Sequence, residues 1–133
     1  METRPSIHHG RCLCSGVRYS VNGPLRDIVA CHCTQCARTS GNFVTATNAA
    51  ASDLNFASQE TLTWYRSSES AERGFCRRCG GNLFWRAIGG STISIMAGTL
   101  DPPTNLQIAE HIFVGFKLDY YDITDAAPQR EEW

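Results

Sequence analysis

Apolar and polar positions alternate with a period of two over several short stretches of the chain, and nowhere settle into a sustained helical period. Val17, Tyr19 and Val21, separated by Arg18 and Ser20, put three apolar side chains on one face of a strand. Asn22-Gly23-Pro24 is turn chemistry and ends it. Residues 27–30 form a short strand that runs into Cys31, residues 37–42 read as loop, and residues 43–47 as the next strand. Residues 61–66, 82–85, 91–98 and 107–116 read as further strands, the third of them alternating around Ile93 and Ile95. Residues 48–60 carry little signal, and residues 67–72 are polar enough for an exposed loop. Pro102 and Pro103 cannot donate to a ladder and mark a turn. Weak structure is expected beyond residue 117. Many short strands broken by Gly and Pro predict an all-β fold. With 133 residues and no repeat or low-complexity linker, one domain spanning residues 1–133 is expected.

Charge narrows the partners. Thirteen acidic against twelve basic residues give a formal net charge of -1, without the basic excess of a protein built to neutralise nucleic-acid phosphates. No apolar run approaches the roughly eighteen residues of a membrane span, and the first ten residues do not resemble a signal peptide. A cytoplasmic protein is the expectation. In a reducing compartment the seven cysteines read as metal ligands rather than disulfides, and an odd number cannot all pair within one chain.

Four cysteines and three make one closed and one open zinc site. Cys76-Arg77-Arg78-Cys79-Gly80 is half of a tetrahedral site: the two-residue spacing faces both sulfurs to one metal, and the glycine permits the positive φ that turns backbone N–H groups toward them. Cys12 and Cys14 can supply the other half, although spacing also allows them to join Cys33 and Cys36. Cys31, Cys33 and Cys36 then form a three-thiol cluster whose fourth position is open to a substrate. The competing reading closes it with His8, His9, His111 or a carboxylate. His32, between two ligands on an extended chain, points away from both. Three thiolates outweigh the charge of Zn²⁺, so the open centre is negative and suited to holding a substrate thiolate rather than ionising water. A zinc deaminase is a poor fit, since neither H-x-E nor P-C-x-x-C occurs. Arg73, Arg77, Arg78 and Arg86, near the Cys76–Cys79 pair, are the residues on which a non-catalytic zinc module for protein or nucleic-acid contact would rest.

Five ordered motifs carry a resemblance. They are Gly10-Arg11-Cys12-Leu13-Cys14-Ser15-Gly16-Val17, the run from Cys31 through Arg38-Thr39-Ser40-Gly41, Phe75-Cys76-Arg77-Arg78-Cys79-Gly80-Gly81-Asn82-Leu83, Ala97-Gly98-Thr99-Leu100-Asp101, and His111-Ile112-Phe113-Val114. In that order they resemble the glutathione-dependent formaldehyde-activating enzyme family, which includes the centromere protein V group, over residues 10–128. The resemblance implies an Mss4-like β-tent of short antiparallel strands. It implies two zinc ions, one structural on Cys12, Cys14, Cys76 and Cys79, and one catalytic on Cys31, Cys33 and Cys36. It further implies a carbon–sulfur lyase acting on a small thiol–aldehyde adduct, glutathione and formaldehyde giving S-hydroxymethylglutathione in the family's founding activity. Arg38, Arg77, Arg78 and Lys117 are candidates for the carboxylates of such a thiol. Ser40 and Gly41 offer a hydroxyl and a bare backbone, and His111 a base. The chain departs from the family in being short and in carrying Tyr120 where a tryptophan is expected nearby.

Overall fold

A computed structural model describes residues 7–133. Ten strands within those residues form two sheets. The smaller sheet contains β1 (Ile7–Arg11), β2 (Val17–Asn22) and β5 (Leu54–Gln59), antiparallel in the order β1-β2-β5. The larger contains β3 (Ile28–Cys31), β4 (Val44–Ala50), β6 (Leu62–Arg66), β7 (Ala71–Cys76), β8 (Asn82–Ala87), β9 (Thr92–Met96) and β10 (Ile108–Ile112). Their spatial order is β10-β3-β4-β9-β8-β7-β6. Only the β10–β3 pair in it is parallel. The fold is all-β, as the alternating pattern predicts.

Val17, Tyr19 and Val21 are buried as their alternation requires, and they close on Phe84 of β8. Tyr19 and Phe56 from the small sheet meet its ring edge-on, with centroids 5.3 and 5.8 Å away, and Trp64 stacks on it at 6.0 Å. A fully buried Phe contributes about 1.5–3 kcal/mol by leaving water, so this aromatic group anchors one sheet on the other. Cys12 and Cys76 belong to the same core.

Four expectations need correcting. Residues 37–42 are not all loop, because α1 (Thr34–Ser40) occupies most of the stretch. Seven residues are too few to display a helical period; end contacts make the helix instead. The Cys33 sulfur caps the Cys36 N–H, and Gly41 ends the helix at φ 87° while its N–H reaches the Ala37 carbonyl. The weak-signal stretch 48–60 holds the end of β4 and all of β5, whose alternate residues are only half-buried. Within the polar stretch 67–72, β7 has already begun at Ala71. Finally, the tail is well tied: amides of His111, Phe113 and Val114 bond the carbonyls of Pro128, Glu132 and Arg130, at 2.9, 2.9 and 3.0 Å. It runs along β10 and meets it in a parallel bridge between His111 and Gln129.

Candidate metal centres

The structure gathers the seven free cysteines into two groups, Cys12, Cys14, Cys76 and Cys79 in one and Cys31, Cys33 and Cys36 in the other. In each, the sulfurs lie within 4.8 Å of one another. Four thiolates around one zinc at about 2.3 Å would stand about 3.8 Å apart. Cys12 and Cys14 are 3.8 Å apart, and Cys14 and Cys76 are 3.5 Å apart, so the soft donors and their spacing fit such an ion.

The four-thiol group is made by two tight turns. Cys12 and Cys14 leave β1, and Val17 N–H returns to the Cys12 sulfur at 3.4 Å. Cys76 ends β7, Gly80 takes φ 78°, and the Cys79 N–H points at the Cys76 sulfur at 3.3 Å. Buried Thr61 adds its hydroxyl to the same sulfur at 3.1 Å. Burial alone would push the Cys76 thiol up, but the Thr61 hydroxyl and the backbone N–H groups outweigh it and bring it down to about 5. The exposed Arg78 donates to the Cys14 sulfur at 3.4 Å and, first among several contacts, lowers that thiol too.

In the three-thiol group β3 delivers Cys31, and the N-terminus of α1 supplies Cys33 and Cys36. The Cys36 N–H bonds the Cys33 sulfur at 3.3 Å, repeating the Cys76–Cys79 device. Cys33 ionises first, lowered to about 2 chiefly by the Cys31 thiol, then by that of Cys36, with the Cys36 amide and the Arg73 charge assisting. Cys31 is pushed up in return, by Cys33 and then Cys36. Val44 and Met96 pack with these cysteines and also line a cavity of about 170 Å³ shared with Ser40, Phe43 and Asn82. The Nδ2 of Asn82 is buried with no hydrogen-bond partner. Neither that cavity nor a larger one of about 320 Å³, beside Glu72 and Arg86, is lined by a cysteine; the smaller adjoins the three-thiol group through Val44 and Met96.

Behind the three thiols lies a chain of polar side chains. His32 is 2% exposed and turns away from its cysteine neighbours. Its Nε2 is 2.9 Å from His111 Nδ1, and its Nδ1 is 2.6 Å from the Tyr121 hydroxyl. His111, 3% exposed, places Nε2 at 3.0 Å from the Asp125 carboxylate. A carboxylate only accepts, so His111 carries its proton on Nε2 and accepts on Nδ1 from His32, which in turn accepts from Tyr121. Both rings are satisfied while neutral. Burial first, then the adjoining His111 ring, which would repel a second proton, and the Lys117 charge hold His32 below its usual range.

The predicted substrate residues are placed as follows. Arg38 is exposed in the last turn of α1. Ser40 lines the small cavity, with its hydroxyl donating to the Cys36 carbonyl at 2.7 Å. Gly41 is the helix cap. His111 is enclosed, with both nitrogens engaged. Lys117 donates to the Leu118 and Tyr121 carbonyls and sits 4.7 Å above the Tyr121 ring. The arginines expected around the knuckle do not form one patch. Arg77 and Arg78 are exposed, whereas Arg86 pairs with Glu72 at 2.7 Å and lies 3.6 Å over Trp64. Arg73 is buried on the other side, against the three-thiol group. Its Nη2 is 3.7 Å from the Cys36 sulfur and its Nη1 3.4 Å from the Thr39 hydroxyl, while Nε has no partner. Arg73, Asn82, Tyr121 and Asp125 could not be singled out as site residues from spacing, because strand register and tail docking bring them there.

No helix among the described residues is long and apolar enough to cross a membrane. The family model of the glutathione-dependent formaldehyde-activating enzyme matches residues 7–115. A crystal structure of a Rhodobacter sphaeroides protein, solved as a structural-genomics target, has a TM-score of 0.62 and 23% identity, covering 91% of this chain and 98% of that one. At that identity it shows a shared fold alone. No curated protein matches.

Proposed function

The chain belongs to the glutathione-dependent formaldehyde-activating enzyme family, and from that premise we propose that it is a zinc-dependent carbon–sulfur lyase acting on a small thiol–aldehyde adduct. The observation that carries this reading is the three-thiol group beside a cavity, with no fourth protein ligand grouped with it among the described residues. The four-thiol group is the structural site in this reading, and Cys31, Cys33 and Cys36 hold the catalytic ion. A zinc ion bound there would supply a soft positive centre that keeps a substrate thiol ionised at neutral pH.

The chain's own residues account for the rest. In the synthetic direction the substrate sulfur attacks the aldehyde carbon, a carbon–sulfur bond forms, and the carbonyl π pair moves to oxygen, which takes a proton from water. Asn82 lines the cavity and its buried Nδ2 has no hydrogen-bond partner, so in this reading it turns to that oxygen and gives it a hydrogen bond as charge develops. Val44, Met96 and Phe43 give the cavity an apolar wall. His111 serves as an orienting group: with His32 and Asp125 it holds the segment that carries Cys31 and Cys33. Glutathione and formaldehyde are the substrate pair the family implies, and Ser40, on the cavity wall, and Arg38, exposed in the last turn of α1, are the residues proposed to meet the thiol's polar groups.

The test combines a zinc count with thiol–aldehyde turnover. Cys36→Ser is expected to keep one zinc of two and lose turnover; loss of one zinc with full turnover would sink the proposed site. Asn82→Leu should keep both zincs and lose turnover by about 10²-fold, the usual effect of removing one oxyanion donor.

A further inference from the structure

Arg73 is 5% exposed, and no carboxylate among the described residues pairs with it. Arg86 opposite Glu72, on the adjoining strand, shows the ordinary solution: a carboxylate at 2.7 Å and an aromatic face at 3.6 Å. Arg73 has neither. Its partners are the Thr39 hydroxyl and the Cys36 sulfur, and Nε faces nothing. A guanidinium stays charged, and a buried charge without a counter-charge is strongly unfavourable. The place therefore calls for an anion, and the group it touches is the three-thiol cluster.

We propose that Arg73 is the charge partner of the metal centre formed by Cys31, Cys33 and Cys36, a positioning residue for the activity proposed above. The inference rests on that cluster being a metal site. Three thiolates leave one net negative charge on a divalent ion. Arg73 cancels it, so the centre is neutral before substrate arrives. A fourth, thiolate ligand then brings the local charge to minus one instead of minus two. The hydrogen bond to Cys36 also draws electron density from that sulfur, which leaves the ion more attractive to an incoming thiolate. Two points of the planar fork reach two partners on α1, which fixes the helix that carries Cys36 against β7.

Zinc alone is the probe, measured on the full-length chain by competition with a chromophoric chelator. The wild-type chain should bind two zinc ions, and Cys36→Ser identifies the one held by the three-thiol group. Arg73→Met should weaken that zinc by about 10–100-fold, the usual range for removing a partner of a metal ligand, and leave the other unchanged. Arg73→Lys, which keeps the charge, should stay within about threefold of wild type, well under that range. A single zinc in the wild-type chain would overturn the metal reading itself. Two zincs with an unaltered affinity in Arg73→Met would overturn the role of Arg73 alone. Should Arg73→Met fail to hold even the four-thiol zinc, Arg73→Lys decides: wild-type-like affinity supports the charge partnership, and a tenfold loss ends it.

Discussion

The two cysteine groups start from one local device and diverge in everything around it. Cys33-Thr34-Gln35-Cys36 and Cys76-Arg77-Arg78-Cys79 each aim the second cysteine's N–H at the first sulfur, both at 3.3 Å. After Cys79 the chain turns through Gly80 into β8, and a segment 62 residues away in sequence brings Cys14 to Cys76. After Cys36 the chain continues as a short helix, and no distant segment adds a fourth thiol. One group lies in the core where the two sheets meet; the other packs on a satellite of Val44, Ala46 and Met96 beside a cavity. Each has an arginine on one sulfur, Arg78 exposed and Arg73 buried. The knuckle alone therefore does not separate a structural site from a reactive one. In the proposed reading the second segment does, together with the depth of the nearby charge: an exposed pair is screened by water, and a buried one cannot be removed without leaving its partner stranded.

The sharpest way to break this comparison is to remove one sulfur from each side. Structural zinc in small domains contributes on the order of 10 kcal/mol, and here that ion would join β1–β2 to β7–β8. Cys76→Ser is therefore expected to abolish cooperative thermal unfolding followed by circular dichroism, whereas Cys36→Ser should retain a transition. If both variants unfolded alike, the three-thiol group would be structural too.

Some of this asymmetry is legible in the sequence and some is not. Ligand spacing within a knuckle is local, so Cys76–Cys79 and the Cys31–Cys36 run can be read from the chain, as can the burial of Val17, Tyr19 and Val21. Whether Cys12 and Cys14 join Cys76 or Cys33 is a matter of which strands are neighbours, and periodicity carries no information on that. Arg73 shows the limit most clearly. In the sequence it is one of four arginines near a knuckle, and the register of β7 between β6 and β8 sends it to the opposite cluster from Arg78. Tyr121 and Asp125 are hidden for a related reason: they reach His32 and His111 only because β10 runs parallel to β3 and the tail follows β10.

Metal removal should follow the same division. With a chelator in excess, zinc is expected to leave in two phases. The ion proposed on the three thiols should leave first and the one proposed on the four thiols only with global unfolding; release measured beside circular dichroism separates the two. A smaller contrast lies in the hydroxyls. Thr61 is buried and bonds the Cys76 sulfur, so Thr61→Val should cost about 1–2 kcal/mol in denaturant unfolding. Thr39 is exposed on α1, where water can take over from the hydroxyl that accepts from Arg73 at 3.4 Å, so Thr39→Val should cost less, about 0.5–1 kcal/mol. Equal costs would mean that both groups are equally integrated into the fold.

The smallest expected effect lies at the tail. The Ala127 N–H, and after it His111, hold the Asp125 carboxyl below its ordinary 3.8. A carboxyl depressed on folding adds stability that is fully present above the unfolded value and is lost as pH falls through the folded one. The part of tail docking that Asp125 contributes should therefore be constant above 3.8 and weaken below it, and Asp125→Asn should remove that part of the acid dependence. The side chain is 48% exposed, so the change is slight and calls for a local measurement. Hydrogen exchange at the Arg130 and Phe113 amides, which bond the His111 and Glu132 carbonyls, reports it directly. At neutral pH neither cluster should change its metal content in Asp125→Asn, because Asp125 reaches the three-thiol group through two intervening histidines. Loss of one zinc there would show that the His111–His32 pair bears on the cluster as strongly as Arg73 does, and the contrast between the two groups would then rest on the tail as much as on the buried charge.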